Sequence, residues 1–344
     1  MAIGSHTDET LSSLARLLAT DLATVTDGFE ALSGPAYESW TVPKGNGRVR
    51  QIDSPVPELK RLQSLLLRRL LNHAPISPFA HGFVRGRSIA TNASVHRESA
   101  RAMVSLDLKD AYPSVSRDRI LKALEWGVGS FLKHSSPMMT RAEREAVYEA
   151  VADACTHRDA LPQGAPTSGQ LLNMACCSLD RHCSRLVRRF RREFPGLRYT
   201  RYADDLTFTA AEELPHEFLE RAIGCVLRAG FEVNRRKVKR YTVANSDLVI
   251  CGIRLHDGQL TLPRRVLRKY RALLFQTLAC EPEDMSDGAR QHVHGAVGFL
   301  TMATTVCPPQ LERLLQAVLQ RHGTWLRPGR KPAYFPFYGS FSQK

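Results

Sequence analysis

No two cysteines of this 344-residue chain stand at Cys-x-x-Cys spacing. The eight lie at 155, 176, 177, 183, 225, 251, 280 and 307, with gaps of 21, 1, 6, 42, 26, 29 and 27 residues. Zinc sites and disulfide frameworks are built on short paired spacings, so neither organises this fold, and the thiols are expected to be reduced and mostly buried. Long apolar runs are missing too. Ala296 to Thr305 is among the longest and falls far short of the ~20 residues of a spanning helix. Residues 1–20 lack the basic end and apolar centre of a secretory leader, so a cytoplasmic protein with no membrane partner is expected. Repeats and low-complexity tracts are absent. With 43% hydrophobic and 24% charged residues the composition is that of a globular protein of about two domains.

Basic residues are scarce in one place only. Residues 1–40 hold one, Arg16, against six acidic residues, whereas residues 41–344 hold 47 against 28. The net charge of +14 is therefore +19 on the later part, which points to a polyanionic partner such as nucleic acid. Residues 1–26 are an acidic helical segment, with Leu11, Leu14, Leu17 and Leu18 on one face of a helix expected over 11–22. Pro43 to Arg50 predicts a basic hairpin around Asn46-Gly47. Pro57 to Asn72 predicts a helix through Leu59, Leu62, Leu65, Leu66 and Leu70, and further helices are expected over 117–126, 141–156 and 170–192.

Ala102 to Leu108 is a short, largely apolar run of strand character that carries Asp107. A buried acid is costly unless it is paired or binds a metal. Tyr199 to Thr209 sets two β-rich arms around Ala203-Asp204-Asp205, the pattern of a hairpin with two acids at its tip. An Asp-Asp pair alone reads as an Asx-type turn. With Asp107 at the end of another strand, the trio could hold two divalent cations roughly 3.5–4 Å apart. Two Mg²⁺ ions suit such oxygen ligands, since Mg²⁺ keeps waters and bridges to substrate phosphates. Lys44, Arg48, Arg50 and Lys237 could hold a triphosphate, or be solvated surface charge.

Tyr202-Ala-Asp-Asp205 in its hairpin resembles the catalytic box of reverse transcriptases, and further matches follow that family's order. Lys44 to Arg50 resembles the fingers hairpin, Ser105 to Val115 the first catalytic strand, and Leu161-Pro-Gln-Gly-Ala-Pro-Thr-Ser168 the template and nucleotide loop. Gly230 to Lys237 resembles the next motif and Leu248 to Leu255 the primer-grip hairpin. The resemblance implies an α+β right-hand polymerase: fingers and palm over 27–256, the palm an antiparallel sheet with helices, and a helical basic thumb with a C-terminal tail over 257–344. It makes Asp107, Asp204 and Asp205 catalytic metal ligands, joined by the Leu108 carbonyl. It places Lys44, Arg50, Asp110, Ala111, Gln163 and Gly164 against the incoming dNTP, with Tyr112 excluding the ribose 2′-hydroxyl and Lys237 as proton donor to pyrophosphate.

Within the superfamily, His81 to Ile89 followed by Asn92, Ala93 and His96 is similar to bacterial retron enzymes, and this implies RNA contacts at Asn92 and His96. Without that resemblance, an Asn and a His four apart on a helix make a local hydrogen-bond network. The retron Val-Thr-Gly signature is altered to Ile250-Cys251-Gly252, with RNA contacts implied at Cys251 and Gly252, and Gly169 stands where the family commonly has proline. With residues 259–344 following the primer-grip hairpin, no RNase H or endonuclease domain is expected. Arg264, Arg265, Arg268 and Lys269 open the thumb as candidate RNA contacts, and the eight arginines from Arg181 to Arg201, with Glu193 the one acid among them, are a second backbone-contact candidate.

The expectation is an RNA-directed DNA polymerase of a retron that copies its own structured noncoding RNA, the template and primer, into branched RNA-linked single-stranded DNA through an RNA–DNA hybrid. The resemblance also implies antiphage defence with a separate effector protein. The alternatives are another small prokaryotic reverse transcriptase, of diversity-generating or abortive-infection type, and an RNA-binding scaffold with a vestigial site.

Overall fold

The computed structural model describes residues 6–43, 49–243, 247–323 and 326. In chain order the elements are α1 (Asp8–Leu18), α2 (Leu22–Glu30), β1 (Tyr37–Pro43), β2 (Val49–Pro55), α3 (Pro57–Arg69), α4 (Ile89–Ser94), β3 (Ala102–Asp107), α5 (Arg117–Ser135), α6 (Arg141–Cys155) and α7 (Ser168–Ala175). They continue with α8 (Cys177–Phe190), β4 (Arg198–Tyr202), β5 (Asp205–Ala210), α9 (His216–Arg228), β6 (Lys239–Thr242), β7 (Leu248–Ile250), β8 (Ile253–His256), β9 (Gln259–Thr261), α10 (Arg264–Ala279), α11 (Asp287–Met302) and α12 (Pro309–His322). Two units divide the chain: Met1–Phe83, Leu108–His182 and Val226–Glu232 form one, and Val84–Asp107, Cys183–Cys225 and Val233–Lys344 the other.

In the first unit, local chemistry sets the helix ends. Thr7 caps α1 by accepting from the Thr10 backbone N–H at 3.3 Å, and Ala19 ends it in the left-handed region at φ 49°. Asp21 then caps a separate α2 through Thr24 N–H at 2.7 Å. The single helix expected over 11–22 is therefore two. Pro57 opens α3, whose Leu59, Leu62 and Leu66 are buried as their spacing requires. The helix expected over 170–192 is interrupted at Cys176, which separates α7 from α8.

β1 and β2 pair antiparallel from Tyr37↔Pro55 to Pro43↔Val49, and the tip that would carry Lys44 and Arg48 lies outside the described residues. The Leu161 to Ser168 loop docks on this ribbon: Asp53 N–H donates to the Gln163 carbonyl at 3.0 Å. Gly164, at φ 149°, lies so close that a Cβ there would stand 2.6 Å from the Asp53 carbonyl oxygen. Gly169 is explained in the same way, because a Cβ would meet the Phe83 ring at 2.5 Å. Proline at 169 would need that ring displaced.

The second unit is built on a four-stranded antiparallel sheet of order β4-β5-β3-β6. Leu106, Leu206 and Phe208 are fully buried, and Phe208 meets Phe218 of α9 edge-on at 5.3 Å. A three-stranded sheet, β7-β8-β9, shares one apolar core with Ile89 and Ala93 of α4, Met103 of β3 and the last three helices. There Tyr270 of α10 packs on Phe299 of α11 at 5.2 Å. Sequence periodicity did not anticipate α11 over its full length. Its Gly and His residues dilute the apolar stripe, but Ser286 caps it and Val293, Ala296, Val297 and Leu300 bury one face.

Gly164→Ala should lower the stability of the chain by about 1–3 kcal/mol, through the backbone clash and the left-handed φ together. Urea unfolding measures this, and an unchanged midpoint would show that the loop does not dock on β2.

Candidate active site

The site grows from strand register. β3 and β5 pair with Leu106 opposite Leu206 and Asp107 opposite Asp205, while β4 closes on β5 with Tyr202 opposite Asp205. Ala203 and Asp204 are then the two residues of a hairpin turn, with Ala203 left-handed at φ 55°. Two of the three acids are thus cross-strand neighbours and the third is adjacent in the chain. Opposed like charges destabilise a sheet, so this arrangement needs a counter-charge.

Lys237 supplies it. The segment after β5 returns past β3: Asn234 N–H donates to the Asp107 carbonyl at 2.8 Å, and a short helical turn, Arg235–Lys237, brings the lysine back to the strand end. Lys237 Nζ donates to Asp107 Oδ1 at 2.8 Å, and Asn234 Nδ2 to Asp107 Oδ2 at 3.3 Å. Burial works to lower the pKa of Lys237. The hydrogen bond to Asp107 and the charges of Asp107, Asp204 and Asp205 outweigh it and hold the ammonium above the usual lysine value. Asp107 is buried, at 7% exposure, while Asp204 and Asp205 are half-buried. Asn234 is a site residue that sequence reasoning passed over, since its signal was only its place three residues before Lys237.

The donor set fits Mg²⁺: three carboxylates offer hard oxygen ligands, and Leu108 follows Asp107 directly. Among the described residues no group of three or more His, Cys, Asp or Glu side chains is arranged to hold a metal ion in the chain alone. Ions held by Asp107, Asp204 and Asp205 would therefore draw their remaining ligands from water and substrate, as Mg²⁺ commonly does.

The remaining expected site residues fall in two groups. Asp110, Ala111, Tyr112, Gln163 and Gly164 lie in the first unit together with Arg50. Asp110 is left-handed at φ 46° and its carbonyl accepts from Ser114 N–H at 2.9 Å; Ala111 and Tyr112 are buried. In the second unit, Arg264, Arg265, Arg268 and Lys269 lie exposed on α10, open to solvent as backbone contacts require. Cys251 and Gly252 form the β7–β8 turn with positive φ at both, 49° and 82°. Burial, and then the negative field of Asp205 and Asp204, push the Cys251 thiol well above its usual range against the Asn92 hydrogen bond, which keeps it protonated.

Asn92 and His96, expected as RNA contacts, are both at 0% exposure, and their side chains bond inside the unit. Arg201 is likewise at 0% exposure and donates to the Ala203 carbonyl at 3.0 Å, supporting the hairpin turn and not a nucleic-acid backbone.

The model of the reverse transcriptase (RNA-dependent DNA polymerase) family matches residues 42–275, and the chain belongs to that family. The described residues combine helices with antiparallel sheets, an α+β architecture. Relatives of this chain include bacterial retron-type reverse transcriptases. The chain is 35% identical over 289 residues to the retron Mx162 reverse transcriptase of Myxococcus xanthus, covering 77% of this chain and 57% of that protein. The retron Mx65 reverse transcriptase of the same organism is 37% identical over 289 residues, covering 81% and 63%. The retron Ec86 reverse transcriptase of Escherichia coli is 26% identical over 293 residues, covering 83% and 82%. The chain thus spans only 57% and 63% of the length of the two myxococcal relatives.

Lys237→Met should cost about 1 kcal/mol: breaking a buried pair costs several-fold more, but water reaches the 49%-exposed lysine side chain. Asp107→Asn added to it should recover most of that loss, because the carboxylate hydrogen-bonded to Lys237 is then no longer left as an unpaired buried charge. A double-mutant cycle by chemical unfolding checks both, and strict additivity would show that the pair does not interact.

Proposed function

We propose that the chain is an RNA-directed DNA polymerase, in which Asp107, Asp204 and Asp205 direct nucleotidyl transfer and Lys237 manages the charge around them. The observation that supports this most is the register that sets Asp107 opposite Asp205, with Lys237 2.8 Å from Asp107. Membership of the reverse transcriptase family adds to it.

In this reading, bound Mg²⁺ would lower the pKa of the attacking 3′-hydroxyl and neutralise charge on the leaving pyrophosphate. The protein's own part is placement. Asp107 and Asp205 enter on rigid strands, whose hydrogen-bonded register fixes their separation before substrate arrives. Lys237 holds its proton on an ammonium bonded to Asp107 and near Asp204 and Asp205, so it is charged at neutral pH and suited to meet a phosphate oxygen; its part as proton donor to pyrophosphate rests on the resemblance alone. Arg50 and Lys44 on the fingers hairpin would bind the triphosphate, and the backbone at Asp110 and Ala111 would approach it. Gln163 and Gly164 would lie against template and nucleotide. Tyr112 is a flat, buried ring that would exclude a ribose 2′-hydroxyl.

The resemblance to retron enzymes, which the names of the relatives support, implies a finer reading: a structured noncoding RNA as template and primer, a branched RNA-linked single-stranded DNA as product, and a part in antiphage defence beside a separate effector. The exposed basic face of α10 would grip the RNA–DNA hybrid through its phosphates. Among the described residues no helix is long and apolar enough to cross a membrane, which is compatible with work in the cytoplasm.

Purified protein should extend a DNA primer on an RNA template with dNTPs and Mg²⁺. Asp204→Asn should reduce the rate by at least roughly a hundredfold while RNA binding persists. Binding without extension in the parent protein would favour a vestigial scaffold. Tyr112→Ala should admit ribonucleotides, read as a fall in the ratio of dNTP to rNTP kcat/KM; an unchanged ratio would remove Tyr112 from sugar selection.

A further inference from the structure

Asn92 and His96 match a signature but are sealed from solvent, which leaves open what they do. α4 carries Asn92, and His96 lies in the turn after it, its N–H bonded to the Ala93 carbonyl at 3.1 Å. The helix is fixed at its start by a reciprocal cap between Ser88 and Thr91. It packs on β4 and on the β7–β9 sheet, with Ile89 and Ala93 in the apolar core.

His96 uses both ring nitrogens. Nδ1 lies 2.7 Å from Thr209 Oγ1 and Nε2 lies 2.7 Å from Thr200 Oγ1. These hydroxyls belong to the two different arms of the carboxylate hairpin. Thr200 stands opposite Thr207, so Thr209, two residues on, is its diagonal neighbour on the same face of the sheet. A neutral imidazole has one donor and one acceptor, and a hydroxyl can serve as either, so one ring can bond both arms at once. A slip of one residue between the arms would turn one hydroxyl to the opposite face. The ring is therefore matched to the register that puts Ala203, Asp204 and Asp205 at the tip.

Asn92 reaches the other way. Its Nδ2 donates to Cys251 Sγ at 3.3 Å, in the turn of the hairpin that resembles a primer grip, while its buried Oδ1 has no hydrogen-bond partner. A leucine there would pack without that cost, so stability alone does not account for the asparagine. One short helix thus ties the Cys251-Gly252 turn to both arms of the catalytic hairpin, through polar side chains that no substrate can reach.

We propose that Asn92 and His96 are positioning residues: a buried clamp that holds the β7–β8 turn and the β4–β5 carboxylate hairpin in one fixed relation, without contact to RNA. Its kinetic consequence rests on the polymerase reading above; its structural part does not. The clamp acts on the placement of Asp204 and Asp205, so its loss lowers the rate of the chemical step and leaves affinity for the nucleic acid intact.

The test uses the full chain with three changes: His96→Leu, which removes both bonds and keeps an apolar side chain; the pair Thr200→Val with Thr209→Val, which removes their partners; and all three together. Primer extension on RNA gives kcat and the KM for dNTP, titration gives the Kd for an RNA–DNA duplex, and amide hydrogen exchange reads residues 200–209. We expect His96→Leu to lower kcat roughly tenfold or more, since small misplacements at a reacting centre cost that much, with Kd changed less than about twofold. Exchange across the hairpin should quicken, the threonine pair should reproduce both effects, and the triple change should add nothing further. Weaker duplex binding with unchanged kcat would overturn the proposal in favour of RNA contact. Lower thermal stability with unchanged kcat and hairpin exchange would reduce the residues to core filling. If the parent protein extends no primer, the polymerase reading fails, and hydrogen exchange alone decides the clamp: unchanged exchange in His96→Leu refutes it.

Discussion

The pairing of β3 with β5 is the constraint on which the rest of the site depends. It sets Asp107 opposite Asp205 and leaves Asp204 in the adjoining turn, a concentration of negative charge that a sheet does not adopt for its own stability. The surrounding structure answers that cost piece by piece. Lys237 and Asn234 come back past the strand end to bind both oxygens of Asp107, Arg201 donates to the carbonyl of the left-handed Ala203, and His96 bonds one threonine on each arm. Strand propensity builds the platform, and buried polar side chains fix the place where it is least stable. Strain kept at such a point is a mark of function.

Much of this was legible in the sequence, because the decisive signals are local. The hairpin around Asp204-Asp205, the strand ending in Asp107 and the Pro-opened α3 follow from period and punctuation, and each forms close to where its residues place it. The helix ends were less legible: Thr7 and Asp21 redirect the chain by single capping bonds, so one expected helix became two. Long-range partnerships were not legible. That Asn234 would reach Asp107 depends on how β6 and its preceding turn return beside β3, and no spacing in the chain encodes it.

Burial overturned the expectations that rested on residue type alone. Arg201 lies in a run of eight arginines that invites a nucleic-acid reading, yet its guanidinium is wholly enclosed. Asn92 and His96 are the reverse case: read from residue type alone they make a local hydrogen-bond network, and their internal bonds and burial agree with that reading. The glycine at 169 is the converse case, a departure from the family pattern accounted for by the position of the Phe83 ring.

On the function proposed above, the register of β3 and β5 makes Asp107, Asp204 and Asp205 one cation-binding unit. Titration of Mn²⁺ into the protein bound to an RNA-primed duplex and a non-reactive nucleotide, followed by electron paramagnetic resonance, tests it most directly. The account predicts two bound ions in the parent and the loss of at least one in Asp205→Asn, with duplex affinity retained. Equal Mn²⁺ binding by parent and variant would contradict it.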